Sequence, residues 1–236
     1  MWSQGAGNTG YSSITSPTYA ANFAAYIIRG SEMARKPETT WEMLNVAMSH
    51  FQSHIKNKKN RCSLSIVDLL HVSNFKGGNA SITEPDNSLP NKLRHYENSL
   101  EKIEAQFKGK TLACLNDHEK TQLIDLCKEF LALTQKAESK IRGFGPSYAS
   151  ALLASHFIEL IPVLDRRALN GAKIDVDKDK QGQAKNMASH YGKLIEAFSV
   201  ELQKSKMTLR ELDKKWFSEK IPRAAQLHAR YQHETS

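Results

Sequence analysis

The chain has 236 residues, a length that can bury a core in one large domain or in two small lobes that share a cleft. Because 40% of the residues are hydrophobic, intrinsic disorder is excluded. Lysine and arginine number 33 against 25 aspartate and glutamate residues, and the net charge of +8 favours a polyanionic partner. No apolar run approaches the length of a membrane span and no signal peptide is recognisable, so we expect a cytoplasmic protein without membrane attachment.

The first part of the chain is predicted to contain a flexible arm, three helices and a long loop. Residues 1–17 are rich in Gly, Ser, Thr and Asn and are expected to form the arm. The N-terminal helical part spans residues 18–90, and its last stretch, 73–90, is predicted to be mostly loop because Gly, Asn, Ser and Pro dominate it. The spacing of apolar residues predicts helices over 17–34, 41–51 and 63–71.

The rest of the chain divides into a helical lobe over residues 91–172 and C-terminal helices over 173–236 that complete a second lobe. Within these parts, apolar periodicity and capping residues predict helices over 91–107, 116–140, 147–157, 165–172, 184–204 and 209–217. No segment alternates as a strand would. The sequence therefore predicts an all-α fold of about ten helices.

No metal site is expected. The run from Asp175 to Gly182 imitates a calcium loop, but Lys180 stands where glycine is required and Asn186 where glutamate is required. Histidines and cysteines are scattered without ligand spacing. The three cysteines do not pair evenly and have no metal-site spacing, which indicates a reduced protein, and an iron–sulfur cluster is not expected.

Two glycines and a later aspartate are the most informative feature. Gly143 and Gly145 flank Phe144, and glycine can adopt positive φ and has no Cβ, so a turn here can bring backbone N–H groups close to a phosphate at the start of the next helix. The alternative is an ordinary helix C-cap followed by a turn. Asp165 lies 20 residues after Gly145, a separation that fits one helix and an extended return through Pro162 to a second helix start.

This stretch resembles the helix-hairpin-helix DNA glycosylase superfamily. Its signature is a hydrophobic-Gly-hydrophobic-Gly hairpin followed, after a helix, by a Pro/Val-rich segment that ends in an aspartate. The matching residues, all within about thirty positions, are Gly143, Gly145, Ala149, Leu152, Leu153, Pro162, Val163, Leu164, Asp165 and Arg167. A weaker likeness to the closing helices of this superfamily covers Tyr191 to Ile195 and Thr208 to Trp216. The resemblance implies a two-lobed fold with DNA lying across the cleft and a nucleotide flipped toward Asp165.

The resemblance also implies roles for individual residues. The Asp165 carboxylate would stand beside C1′ of the deoxyribose, stabilise the positive charge that builds up there and orient water; the alternative is that it only caps a helix N-terminus. Ser147 occupies the position at which bifunctional members carry a Schiff-base lysine, so lyase chemistry is not expected. Residues expected to contact DNA are Arg142, Gly143, Gly145, Ser147, Arg166 and Arg167, although the arginines and the nearby Lys140 can equally be solvated charges.

A second candidate region lies before Pro90. Asn74, Phe75, Lys76 and Asn79 fall in a Gly-flanked segment and are predicted to stack on and hydrogen-bond an extruded base; a surface Ω-loop is the alternative. The residue that would fill the gap left by a flipped base is not identified by the sequence. No cofactor is expected, apart from the structural alkali ion that hairpin carbonyls hold in many members of the family.

The function predicted on this basis is that of a monofunctional DNA glycosylase, a monomer that binds double-stranded DNA, hydrolyses an N-glycosidic bond and leaves an abasic site. The base is not identified, and by analogy with divergent members it includes modified pyrimidines of phage DNA. A non-catalytic helix-hairpin-helix DNA-binding module is the alternative. A third class, an all-α protein-interaction domain, would have no salt-dependent affinity for DNA.

Overall fold

A computed structural model describes residues 40–78, 81–177 and 185–218. Within these ranges the chain forms helices and no strands, so the all-α prediction is confirmed for them. The predicted arm over 1–17, the helix over 17–34 and the base-pocket candidate Asn79 lie outside the described residues. No helix within the described ranges combines the length and the apolar character that crossing a bilayer requires.

The described ranges contain eight α-helices and two short 3-10 helices. The α-helices are α1 Trp41–Lys56, α2 Ile66–Phe75, α3 Leu89–Phe107, α4 Asp117–Ala132, α5 Pro146–His156, α6 Arg166–Gly171, α7 Tyr191–Lys204 and α8 Leu209–Ser218. The 3-10 helices are Leu112–Cys114 and Met187–His190.

Helix α2 begins and ends later than the sequence predicts. The backbone N–H of Ser65 donates to the Asp68 carboxylate at 2.8 Å, and this capping interaction sets the helix start at Ile66. The helix then continues to Phe75, so residues 73–75 are helical, where the sequence predicts loop. Asn74 and Phe75 therefore belong to a helix end, and the glycines Gly77 and Gly78 follow it with positive φ.

Helix α4 begins as the sequence predicts but ends at Ala132, eight residues before the predicted end at 140. Its start is fixed by Asn116, whose side chain accepts a hydrogen bond from the backbone of Glu119 at 2.9 Å. Beyond its end, the Thr134 hydroxyl donates to the Leu131 carbonyl at 2.7 Å and the Ser139 hydroxyl donates to the Leu133 carbonyl at 2.8 Å. These side chains satisfy carbonyl groups that a continued helix would have used, and the chain turns there.

Helix α5 lies at the centre of the fold. Every residue from Ala149 to His156 is buried, so the helix is surrounded on all sides, with α1, α2 and α4 among its neighbours. The extended segment after it, Ile161 to Leu164, is also buried. The Tyr191 hydroxyl donates to the Pro162 carbonyl at 2.8 Å, which ties this segment to α7. The core thus fixes both the turn before α5 and the segment that delivers Asp165.

Candidate functional site

The turn before α5 needs glycine at one of its two glycine positions. Gly143 has φ +84, and a Cβ placed on it would lie 2.0 Å from the carbonyl oxygen of Ser81, so another backbone segment passes too closely for any side chain. Gly145 has φ −92, and no atom would lie within 4 Å of its Cβ. Of the two glycines at which the sequence allows positive φ, only Gly143 uses it in the structure.

The start of the turn is bound to the segment that precedes α3. The Thr83 N–H donates to the Arg142 carbonyl at 3.3 Å, and the Arg142 N–H donates to the Glu84 carboxylate at 3.0 Å. Glu84 also pairs with Lys92 of α3 at 2.6 Å. Hydrogen bonding from Lys92, with smaller contributions that include the Arg142 N–H, lowers the pKa of Glu84 to about 2. Backbone and charge together hold the turn in place.

An alkali ion at the turn would need backbone carbonyl oxygens as ligands. The Ile141 carbonyl accepts the Phe144 N–H at 3.1 Å, the Arg142 carbonyl accepts Thr83, and the Gly145 carbonyl accepts the N–H groups of Tyr148 and Ala149 at 3.0 Å. These oxygens already serve as acceptors in the fold. The Ile141 and Arg142 carbonyl oxygens each keep a second lone pair that a cation could use, and no step below depends on such an ion.

Ser147 and Ser150 of α5 hold the segment that leads to Asp165. The Ser147 hydroxyl donates to the Leu164 carbonyl at 2.8 Å, and the Ser150 hydroxyl accepts the Leu164 N–H at 2.9 Å. Both polar groups of Leu164 are thus bound by α5. Ser147, predicted as a DNA contact, has its hydroxyl engaged within the protein and acts on the position of the adjacent Asp165.

Asp165 is both the cap of α6 and a cleft residue. Its Oδ1 accepts the Ala168 N–H at 2.9 Å, and its Oδ2 lies 3.4 Å from Nζ of Lys76 at the end of α2. The side chain is 28% exposed. The capping and catalytic interpretations are therefore compatible, because one oxygen fixes the carboxylate at the helix N-terminus and the other remains at the cleft surface beside a cation.

The cleft at Asp165 has a volume of about 520 Å³, within the range of small-molecule pockets. Six residues with a predicted site role line it: Phe75, Lys76, Ser147, Asp165, Arg166 and Arg167. These residues come from three separated parts of the chain. The fold therefore brings the aspartate segment and the α2 end together, as the two candidate regions require.

One wall of the cleft is formed by two arginines and two aromatic rings, and the planes of the two rings are tilted by 60° to each other. The Arg210 guanidinium carbon lies 4.0 Å from the Trp41 ring centroid, the Trp41 and Phe217 centroids are 5.3 Å apart, and the Arg167 guanidinium carbon lies 4.0 Å from the Phe217 centroid. Such cation–aromatic contacts stabilise both partners when water is excluded. These contacts hold the Arg210 and Arg167 cations along the cleft.

A second carboxyl group, Asp213, lies in the same cleft. Its Oδ2 accepts a hydrogen bond from Nη1 of Arg210 at 2.5 Å, and its side chain is only 10% exposed. Burial raises the pKa of Asp213 to about 7; the cation of Arg210 opposes this shift and the charge of Asp165 adds to it. Burial likewise lowers the pKa of Arg210. The cleft therefore holds two acids in different surroundings.

Neither a family model, nor a curated protein, nor a solved structure matches this chain.

The remaining predicted residues are distributed differently. Gly143 and Gly145 line a second cavity of about 740 Å³, together with the first turn of α5 and residues Asn186 to Ser189. Arg142 is exposed on the turn, and Asn74 is exposed on α2. In the described ranges, no group of three or more His, Cys, Asp or Glu side chains is placed to hold a metal ion.

Phe75 was predicted as a stacking platform on a loop, and the structure places it differently. Its side chain is 4% exposed and packs in the core at the end of α2, with the Arg210 guanidinium 5.6 Å from its ring centroid. Phe75 lines the cleft with little surface left for a ligand, because its side chain is almost fully buried.

Sequence reasoning missed Trp41, Arg210, Asp213 and Phe217. The last three share one face of α8 by their spacing of three and four residues, which a helical wheel would have shown. A buried aspartate on that face, beside Leu209, Leu212 and Trp216, was the available signal. Nothing in the sequence marks Trp41 as a cleft residue, since an aromatic residue at a helix start commonly packs in the core.

Proposed function

We propose that the chain is a monofunctional DNA glycosylase with a two-lobed helix-hairpin-helix fold. It binds double-stranded DNA, flips a damaged or modified base into the cleft and hydrolyses its N-glycosidic bond to leave an abasic site. The observation that carries the proposal is the placement of Asp165: a partly exposed carboxylate at the N-terminus of α6, in a cleft lined with cations and aromatic rings. The glycine turn that precedes it by one helix adds a backbone-binding surface.

The chemistry follows from charge. Cleaving the bond between C1′ and the base nitrogen leaves positive charge on the sugar, and a fixed carboxylate stabilises that charge without reorganising. The Ala168 N–H holds Oδ1 of Asp165 and the Lys76 ammonium lies beside Oδ2, so the carboxylate is held in one position. Its Oδ2, at the cleft surface, orients the water that attacks C1′ and accepts a proton from that water.

The product is an abasic site because the hairpin supplies no amine. Position 147 is a serine, and its hydroxyl is bound to the Leu164 carbonyl, so a Schiff base does not form there. Arg142, Arg166 and Arg167 contact phosphates, and the turn at Gly143 to Gly145 contacts the backbone without reading sequence. The protein acts as a cytoplasmic monomer, and its substrates include modified pyrimidines of phage DNA.

The test uses duplexes that each carry one altered base: uracil, 8-oxoguanine, ethenoadenine, 7-methylguanine or 5-hydroxymethylcytosine. After incubation, alkali converts abasic sites into strand breaks. Asp165→Asn should abolish breaks, by about 10³-fold or more, while retaining or strengthening DNA binding, since it removes a negative charge. Asp125→Asn, at a 65% exposed side chain of α4, is the matched control and should behave as wild type.

A non-catalytic DNA-binding module is the second candidate, and one observation favours it. Both oxygens of Asp165 already have partners, as expected of a structural cap with an ion pair. This reading predicts salt-dependent binding to duplex DNA with no breaks on any probe and no difference between wild type and Asp165→Asn after alkali treatment. That result would replace the glycosylase proposal.

A further inference from the structure

We propose that Asp213 is the general acid of the cleft: its carboxyl group protonates the departing base while Asp165 stabilises the sugar. This inference rests on the proposed glycosylase function and extends it to a second catalytic residue. It also narrows the substrate class to bases that leave poorly unless they are protonated.

The geometry of Asp213 supports this role. The residue lines the same cleft as Asp165, from a different element, α8. Its Oδ2 is engaged by Nη1 of Arg210, and within residues 40–78, 81–177 and 185–218 no group hydrogen-bonds to Oδ1. The carboxyl group therefore has one oxygen anchored and one left to carry or give a proton at the cleft.

The charges that face Asp213 come from three elements. Arg210 lies one turn earlier on α8, Asp165 lies at the start of α6, and Lys76 lies at the end of α2. Burial and the charge of Asp165 raise the pKa of Asp213, whereas Arg210 and Lys76 lower it, and burial is the largest effect. With a pKa of about 7, an appreciable fraction of Asp213 carries a proton at neutral pH.

A simple structural ion pair does not explain this arrangement. Arg210 gives Asp213 only Nη1, while its Nε and Nη2 have no hydrogen-bond partner among the described residues. The guanidinium is held instead against the Trp41 ring at 4.0 Å. A pair built for stability would use the parallel donors on one guanidinium edge for both carboxylate oxygens. Here the second carboxyl oxygen is left available.

The step balances as an ordinary hydrolysis. As the bond between C1′ and the base nitrogen breaks, its electron pair goes to the base, and the proton of Asp213 moves to a ring nitrogen or carbonyl oxygen of that base. Water then forms the new C1′–O bond and gives its proton to Asp165. Solvent restores the proton on Asp213 and removes the one on Asp165. A buried carboxyl group that can give a proton, beside a partly exposed one that faces the sugar, suits such paired roles.

The experiment measures single-turnover base release against pH for wild type, Asp213→Asn and Asp213→Glu on the same five duplexes. Asparagine keeps an acceptor for Arg210 but has no proton to give. We expect Asp213→Asn to slow release of uracil, 8-oxoguanine, ethenoadenine or 5-hydroxymethylcytosine by about 10²-fold to 10⁴-fold. We also expect the wild-type rate to fall as pH rises through about 7, and Asp213→Asn to lose this dependence while Asp213→Glu retains it.

Release of 7-methylguanine provides an internal control, since this base is already cationic and needs no proton; any release of it should be insensitive to Asp213→Asn. Thermal melting and DNA binding of each variant show whether it is folded. One result would overturn this inference and leave the proposed function standing. In that result, Asp165→Asn abolishes the wild-type activity, but Asp213→Asn has the same rate or the same pH profile as wild type. Absence of base release from all five duplexes would reject both.

Discussion

The turn before α5 and the wall formed by α8 are built in different ways. The turn and the segment that returns to Asp165 are held through their main-chain groups: Gly143 passes against Ser81, and the carbonyl and N–H of Leu164 are bound by the hydroxyls of Ser147 and Ser150. The α8 wall is held by side chains, with Arg210 between Asp213 and the Trp41 ring.

This difference separates two tasks of the site. Hydrogen bonds to the main chain place Asp165 with little freedom, because the peptide group on one side of each bond is rigid. Side-chain contacts in a buried, charged wall change with protonation, since each charge there is balanced against burial. One region supplies position and the other supplies a group that can respond to pH.

The largest expected effect on stability is at the turn. Gly143→Ala would place a Cβ against the Ser81 carbonyl and force an unfavourable positive φ on alanine, so we expect it to lower the free energy of unfolding by about 2–4 kcal/mol. Chemical denaturation measures this difference. A Gly143→Ala protein as stable as wild type would show that the close approach of residue 81 is not a constraint.

Gly145→Ala is the matched control at the same turn. Its φ is compatible with alanine and the added Cβ meets no atom, so the unfolding free energy should change by less than about 1 kcal/mol. The Cβ would project into the cavity at the start of α5, where we propose that phosphate binds. Gly145→Ala should therefore weaken DNA binding at unchanged stability, measured by fluorescence anisotropy, and equal loss of both would argue against a binding role.

The next expected effect is a change of stability with pH, caused by Asp213 in the α8 wall of the cleft. The pKa of Asp213 is raised in the folded protein to about 7 from its ordinary value of 3.8, so the folded state holds this proton more tightly than the unfolded state. The resulting stabilisation is fully present below pH of about 4 and is lost as pH rises to about 7. Asparagine does not titrate. The stability of wild type relative to Asp213→Asn should thus fall by a few kcal/mol across this window, as thermal melting at several pH values would measure.

A stability difference between wild type and Asp213→Asn that does not change with pH would mean that Asp213 is ionised throughout. Arg210 and Asp213 would then form a fixed ion pair. It would also remove the electrostatic support for the proposed proton transfer. The turn predictions would be unaffected, so the two regions can fail separately.

Local patterns made the first region predictable and left the second hidden. Gly143, Pro162 and Asp165 lie within one short stretch, and their spacing alone predicts the turn, α5 and the start of α6, which the structure contains. The wall depends on residues 41, 167, 210, 213 and 217, whose proximity is created only by packing. The end of α4 was missed for a related reason, because hydroxyl groups of Thr134 and Ser139 outweighed the helical periodicity.

A smaller loss of stability, expected for Tyr191→Phe, tests how firmly the segment Ile161 to Leu164 is held from outside α5. Tyr191 of α7 is fully buried and donates its hydroxyl to the Pro162 carbonyl at 2.8 Å, three residues before Asp165. Tyr191→Phe removes the hydroxyl and leaves the Pro162 carbonyl without this hydrogen bond. We therefore expect a loss of about 1 kcal/mol in the free energy of unfolding. Because Ser147 and Ser150 still bind Leu164, the position of Asp165 should survive. Base release by Tyr191→Phe should then remain within a few-fold of wild type, whereas a large loss of activity would show that α7, rather than α5, sets the position of the aspartate.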